Sequence, residues 1–330
     1  MISVLVVNWN RKDLLRACLL SLRRQTGVPF EIIVVDNGSS DGSADLAEQQ
    51  FNARVIRNRE NRGFCAANNQ GIACAKGEFI ALLNNDAEAE PGWLAALHDA
   101  CSRAPDVGMV ASKVLVWEEP GRIDKVGHLI FPDGQNRGRG SGALDQGQFE
   151  KEEEVLWPDG CAAMYRKSML DQIGGFDEDF FAYGDDAELG LRARIAGWKC
   201  IYTARAVVRH HRGATMGKGS PERLLLIERN RVLLAMKLFP WSLLWLNPVF
   251  FAVRVAASAA MAGRNAGDTA HFQGLRGKLA MAWALIRGDV AALGLAPRML
   301  RKRRSIVRAL SPAQVRRLLL SHRLGLREVA

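Results

Sequence analysis

Apolar runs that do not alternate with polar residues, each followed by a helical pattern, constrain the first third of this chain more than any other feature. Residues 2–7, 31–35 ("EIIVV"), 53–56 ("ARVI"), 79–83 ("FIALL") and 107–112 ("VGMVAS") read as strands. Between them, residues 11–25, 43–50, 64–76 and 91–103 carry helical spacing, with Leu15, Cys18, Leu19 and Leu22 on one face of the first. A strand that is apolar on both faces must be covered on both faces. The pattern therefore predicts an α/β fold, a parallel sheet with helices on each side. Ligands of such sheets sit outside the carboxyl ends of the strands. Asn8, Asp36 and Asp86 all stand where an apolar run stops, so a parallel arrangement gathers them at one rim.

Beyond residue 112 the alternation fails. Residues 113–135 read as strands and turns, and the Gly-rich, then charged, segment 137–154 as a mobile loop. Residues 160–166 are apolar again, and helices are expected over 185–197 and 223–239. Charge divides the chain more sharply. Residues 1–200 hold 22 Lys+Arg against 30 Asp+Glu, a net −8, whereas residues 201–330 hold 23 against 5, a net +18. The acidic part calls for basic or metal counterparts, and the basic part for phosphates of nucleic acid or anionic lipid. Six cysteines at 18, 65, 74, 101, 161 and 200 form no C-x-x-C pair, so reduced thiols of a cytosolic protein are expected. The opening "MISVLVVNWN" has no charged n-region or cleavage site, and no secretory leader is expected.

Residues 238–262 are long enough to span a bilayer, but Pro240, Pro248 and Arg254 interrupt them. Arginine in mid-bilayer costs roughly 2.5 kcal/mol or more on insertion scales. Helices lying on the membrane are expected, with a buried hairpin as the alternative. Trp241, Trp245, Phe250 and Phe251, together with Arg298, Arg301, Lys302, Arg303 and Arg304, make a membrane-interface composition rather than a nucleic-acid arm.

Each candidate chemical group has a structural reading beside the functional one. Asp36 in "VVDNGSSDGS" can accept from a ribose hydroxyl or base N–H, or close an Asx turn. Asn61 and Gly63 precede a helix whose open amides can meet a phosphate, or Asn61 simply caps it. Asp86 in "NND" can hold a divalent cation, Mg²⁺ or Mn²⁺, that bridges phosphates, and it lies too far from Pro91 for a direct cap. Asp185, Asp186 and Glu188 crowd a helix start, which the helix dipole alone explains. Beside Phe180, Phe181 and Tyr183, however, a partly desolvated carboxylate becomes a usable base. His210 or His211 could ligate the metal. A dinucleotide-dependent oxidoreductase is excluded, because "NWNRKDLL" after the first strand has no glycine.

In order, "VVNWNR", "IIVVDNGSSDGS", "ENRGFCAANNQG", "FIALLNND", "IGGFDEDFFAYGDDAELGLR" and "AVVRHHRGAT" resemble the motifs of family-2 glycosyltransferases. The likeness is greatest to the bacterial rhamnosyltransferase-like branch and covers residues 1–215. It implies a GT-A type mixed sheet flanked by helices, with a nucleotide-binding half (1–112), an acceptor half (113–220) and a basic, helical, membrane-associating region (221–330). By this resemblance Asn8, Asp36, Asn61, Gly63 and Asn85 contact the nucleotide. Asp86 and His210 hold the cation, His210 fitting H-x-x-G-x-[ST] better than His211. Asp186, with Asp185, supplies the base, and Gly160, Cys161 and Tyr183 meet the acceptor. Asn84 departs from the first Asp of D-x-D, and Asp185 stands where Glu is usual. The implied activity is inverting transfer from a nucleotide sugar, dTDP-rhamnose, to a glycan or polyprenyl-linked acceptor in cell-surface polysaccharide synthesis. The implied location is the inner face of the plasma membrane, without nucleic acid. The alternative is a non-catalytic sugar-nucleotide binder.

Overall fold

The computed structural model describes residues 1–211, 220–261 and 274–329. Two compact units divide the chain: Met1–His128 with Gly138–Arg212, and Leu129–Arg137 with Gly213–Ala330.

In the first unit β1 (Ile2–Asn8), α1 (Lys12–Arg23), β2 (Phe30–Asp36), α2 (Ser43–Phe51), β3 (Arg54–Arg57), α3 (Gly63–Cys74) and β4 (Phe79–Leu83) alternate. Next in chain order come β5 (Ala87–Ala89), α4 (Trp93–Ser102), β6 (Val107–Val116), β7 (Ile123–Lys125), β8 (His128–Ile130), β9 (Asn136–Gly138), β10 (Glu153–Val155), β11 (Ala162–Arg166), α5 (Lys167–Ile173), α6 (Asp185–Ile195) and β12 (Lys199–His210), of which β8 and β9 belong mostly to the second unit. The main sheet runs β10-β12-β6-β11-β4-β1-β2-β3. β1 pairs in parallel with both β2 and β4, and β2 with β3, so the order reverses at β1. That reversal opens a crevice at the carboxyl ends of β1 and β4, where such sheets place ligands. Leu15, Cys18, Leu19 and Leu22 of α1 and Trp93 of α4 pack with Val4, Val6 and Ala81 in one buried cluster.

The sheet is mixed rather than wholly parallel. β11 runs antiparallel between β4 and β6, and β5 runs antiparallel to β12. The register of β12 on β6 slips between Thr203 and Val207, and the strand then pairs with β5 so that His210 faces Ala87. Segment 137–154 is also better anchored than its composition suggests. Lys113 Nζ reaches Asp145 and Glu150, each at 2.5 Å, and Tyr202 donates to the Phe149 carbonyl at 2.8 Å.

In the second unit α7 (Pro221–Leu238) begins on Ser220, whose hydroxyl accepts from Arg223 N, with Pro221 at the first helical position. α8 (Trp241–Met261), α9 (Gly274–Arg304), α10 (Pro312–Ser321) and α11 (Leu326–Val329) complete it. Gly288 lets α9 lie against α7: a Cβ there would stand 2.9 Å from the Leu225 carbonyl oxygen. Charges occupy the interior. Arg254 Nε reaches Asp133 at 2.6 Å and its Nη2 reaches Glu228 at 3.1 Å, while Arg231 pairs with Glu228 at 2.6 Å and Asp289 at 3.4 Å. Apolar side chains occupy the outside: Trp245 and Val249 on α8, and Leu279, Trp283, Ile286, Val290 and Leu293 on α9, are all exposed. The α9 set repeats at spacings of four, three, four and three, one continuous face of a helix. α8 and α9 are long and apolar enough to cross a membrane, judged by length and composition.

Candidate active site

The rim forms because β1 and β2 end in register, Asn8 opposite Asp36. Asn8 Nδ2 donates to Ser43 Oγ at 2.8 Å and, more weakly, to Asp36 Oδ1 at 3.4 Å. Asn85 Nδ2 donates to Asn8 Oδ1 at 2.7 Å. Asp36 Oδ2 accepts from Ser39 N at 3.0 Å, three residues on and so one residue wider than an Asx turn. Asn8, Asp36 and Asn85 are thus one buried polar network at the crevice floor. Asn61 Oδ1 accepts from Asn37 at 3.2 Å and from Gly63 N at 2.9 Å. The next two amides of α3, on Phe64 and Cys65, donate to the Phe181 carbonyl at 2.8 and 3.2 Å. The open amides expected there are therefore occupied by protein, and a glycine is required: Gly63 has φ +81°, and a Cβ would stand 2.4 Å from the Phe181 ring.

Asp86 lies between β4 and β5, so the pairing of β5 with β12 sets His210 beside it. His210 Nε2 lies 3.4 Å from Asp86 Oδ1, and its Nδ1 lies 2.8 Å from Asp124 Oδ2. Asp86 Oδ1 is buried and has no hydrogen-bond partner. An orphaned buried carboxylate oxygen, beside an imidazole whose other nitrogen a second carboxylate orients, suits a divalent cation. Burial disfavours the imidazolium, but Cys161, Asp124 and Asp86 outweigh it and push His210 well above its usual range. Burial also pushes the Cys161 thiol up, so it stays protonated and the two carboxylates carry the effect. His210 must therefore lose a proton to bind metal. His211 faces elsewhere, its ring 4.5 Å from Trp117. Gly213 and Thr215 of the H-x-x-G-x-[ST] pattern lie outside the described residues.

Residues 159–161 join this rim to α6. The Cys161 carbonyl accepts from Asn84 N at 2.8 Å, and Gly160 N donates to Asp186 Oδ2 at 3.3 Å. α6 starts after Gly184, whose φ is +71°, and Phe181 and Tyr183 also have positive φ, at +63° and +67°. Such backbone is costly for aromatic residues and concentrates at functional sites. Of the three acids at the helix start, Glu188 turns inward to Arg192 at 2.8 Å. Asp185 is buried, and burial and then Asp186 push its pKa well up. Asp186 stays partly accessible, and burial pushes it up as well. Cys161 is buried beside His210 rather than offering a surface to an acceptor.

Three groups here escaped the sequence reading. Asp159 Oδ2 lies 2.6 Å from Lys125 Nζ and 2.9 Å from His128 Nε2, and His128 Nε2 is 3.6 Å from Asp186 Oδ2. Ligand atoms of His128, Asp159 and Asp186 fall within 4.8 Å of one another, a spacing that metals use. Lys125, however, already supplies positive charge to Asp159. Burial would raise the Asp159 pKa, yet Lys125 and then His128 hold it well below the usual carboxylate range.

Residues 3–174 match the family described as Glycosyl transferase family 2. The chain is 30% identical over 245 residues to N-acetylglucosaminyl-diphospho-decaprenol L-rhamnosyltransferase of Mycobacterium tuberculosis, covering 68% of this chain and 80% of that one. It is 32% identical over 225 residues to the O-antigen biosynthesis protein RfbC of Myxococcus xanthus, covering 65% of this chain and 17% of that one. The mannosyltransferase PcManGT from Pyrobaculum calidifontis, solved with GDP-Man and Mn²⁺, superposes with TM-score 0.55 at 19% identity over 88% of this chain and 86% of that one. GalNAc-T7, solved with UDP, GalNAc and Mn²⁺, gives TM-score 0.60 at 16% identity over 79% of this chain and 52% of that one. These similarities and the sheet order converge: the chain belongs to glycosyl transferase family 2, in its rhamnosyltransferase-like branch, and is a glycosyltransferase of GT-A fold.

Proposed function

We propose that the protein transfers a sugar, rhamnose, from a nucleoside diphosphate donor such as dTDP-rhamnose to a hydroxyl of a lipid-linked glycan acceptor in polysaccharide synthesis, with inversion. The observation that carries this reading is the orphaned Asp86 Oδ1 beside His210 at the crevice where the strand order reverses. Asn8, Asp36 and Asn85 hold the base and ribose, with Asn61 and Gly63 shaping the wall. Asp86 and His210 hold a divalent cation, Mg²⁺ or Mn²⁺; the chemistry it supplies when bound is neutralisation of charge on the departing diphosphate. The Asp186 carboxylate takes the proton of the acceptor hydroxyl. The acceptor oxygen bonds to the anomeric carbon as that carbon's bond to the diphosphate oxygen breaks, and one displacement inverts the centre. Asp185 crowds Asp186 with a second carboxyl, and Gly160 and Tyr183 form the acceptor side. Similarity to a decaprenol-linked rhamnosyltransferase supports the donor and acceptor classes.

The test is a thermal-shift panel of nucleoside diphosphates with and without Mn²⁺. One diphosphate should stabilise the protein only with Mn²⁺, and Asp86→Ala should abolish that dependence. Equal stabilisation of the Asp86→Ala variant would refute the assignment.

A lipid-linked acceptor calls for a protein held at a membrane. We place this one peripherally on the cytoplasmic face of the plasma membrane. The exposed Trp245 and the α9 face bearing Trp283, Ile286 and Val290 would enter the interface, and Arg301, Lys302 and Arg304 would meet anionic headgroups.

A further inference from the structure

Asp186 sits at the end of a chain of polar groups, partly exposed Lys125 and buried Asp159 and His128, that the reaction above leaves without a role. Lys125 closes β7, His128 opens β8, and Asp159 lies in the turn before β11. Their contacts run in sequence: Lys125 Nζ to Asp159 Oδ2 at 2.6 Å, Asp159 Oδ2 to His128 Nε2 at 2.9 Å, His128 Nε2 to Asp186 Oδ2 at 3.6 Å. His128 and Asp159 are 5% and 7% exposed, so water does not supply substitutes. His128 Nδ1 is buried without a partner. His128 Nε2 faces both carboxylates, at hydrogen-bond distance from Asp159 and beyond it, at 3.6 Å, from Asp186. The His128 ring also lies over Trp157, at 6.0 Å between centroids and 23° between planes, which fixes its direction.

The alternative use of these atoms is a second cation site. Lys125 argues against it, because its ammonium already neutralises the carboxylate that such a cation would need. Resting on the reading of Asp186 as the base, we propose that Lys125, Asp159 and His128 form a relay that positions Asp186 and keeps it ionised, with His128 as the positioning residue in contact with it.

The charged and titratable groups facing Asp186 are Asp185 on α6, Asp159 before β11, Tyr165 on β11, Lys125 on β7 and His128 on β8. Burial and Asp159 disfavour the carboxylate, while His128 and Lys125 favour it. Removing either donor therefore moves the acid limb of kcat/KM for the acceptor to higher pH. His128→Ala should shift that limb upward by about one pH unit, hence a roughly tenfold loss on the limb itself. The donor KM should be unchanged, and His128→Gln, which keeps an amide there but no charge, should show the same shift. Lys125→Met should shift the limb in the same direction.

Thermal melting establishes that each variant is folded, and the two sites give independent readings should one fail. A uniform loss across pH in both His128 variants, with no movement of the limb, would make the group merely structural and overturn the relay. A change in the Mn²⁺ concentration for half-maximal activity, without movement of the limb, would overturn it in favour of a cation site. Asp186→Asn is the separate control: near-full turnover there would sink the assignment of the base itself.

Discussion

Arg254→Met tests how the second unit holds charge in its interior. Arg254 is 11% exposed and contacts Asp133 and Glu228, which are 0% and 1% exposed, at 2.6 and 3.1 Å. Methionine keeps much of the side-chain bulk against Phe251, so packing changes little. What changes is charge: Asp133 and Glu228 lose one cation, while Arg231 stays beside Asp133, Glu228 and Asp289. Removing one partner of a buried pair costs about 3–5 kcal/mol, because the remaining charge stays uncompensated. For a unit of this size that corresponds to a fall in Tm of roughly 10–15 °C. Differential scanning calorimetry at several pH values reads it. Burial and Glu228 already push the half-buried Asp289 up to about 6. A carboxyl raised in the fold favours the protonated folded state, so its contribution is lost as pH rises through 6. Asp133 and Glu228, short of one cation in the variant, extend this, and the gap from wild type should narrow from pH 8 to pH 5. Arg254→Met combined with Asp133→Asn should recover part of the loss. A fall under about 3 °C, or a gap as wide at pH 5 as at pH 8, would refute the reasoning.

Asp186→Asn should lower kcat by about 10²–10⁴-fold while leaving the Mn²⁺-dependent shift by nucleoside diphosphate intact; loss of both would point to misfolding rather than a missing base. In the wild type the base must be ionised and burial pushes it up, so transfer should fall with decreasing pH from above the ordinary carboxylate range. Gly63→Ala forces a side chain to φ +81° and against the Phe181 ring, and should cost about 1–2 kcal/mol in strain, read as a lower urea midpoint with reduced kcat. Trp245→Ser with Trp283→Ser should weaken flotation with vesicles rich in anionic lipid, and high salt should weaken it further; unchanged flotation would remove α8 and α9 from the membrane contact.

The strand ends were legible because β1, β2 and β4 are long enough to show continuous apolar runs, and the residue after each run is then fixed by geometry. Asn8, Asp36 and Asp86 come from that alone, whereas Asn85 came only with the family resemblance. Asp124, His128 and Asp159 did not, because β7 and β8 have three residues each, too few to establish a period. Their places depend on pairings with distant segments. The amides of α3 were misread for a related reason: their partner, the Phe181 carbonyl, is more than a hundred residues away on backbone with positive φ that no aromatic residue signals. Segment 137–154 looked loose because glycine and charge usually mean solvent, yet its acids are counter-ions for the buried Lys113. Arg254 argued against a simple span in the sequence, and its two carboxylate partners came from elsewhere in the chain.

The slip between β12 and β6 works as a vernier for the two adjacent imidazoles. Upstream of Ala204 the strand keeps its pairing with β6, so the interior side chains there are indifferent to the length of the bulge. A slip of one residue in the pairing beyond Ala204–Ala206 would turn over the facing of everything downstream, since side chains alternate along a strand. His211 would then stand opposite Ala87, where His210 now stands. The register held beyond the bulge, rather than the chemistry of the three residues in it, decides which histidine serves the carboxylates.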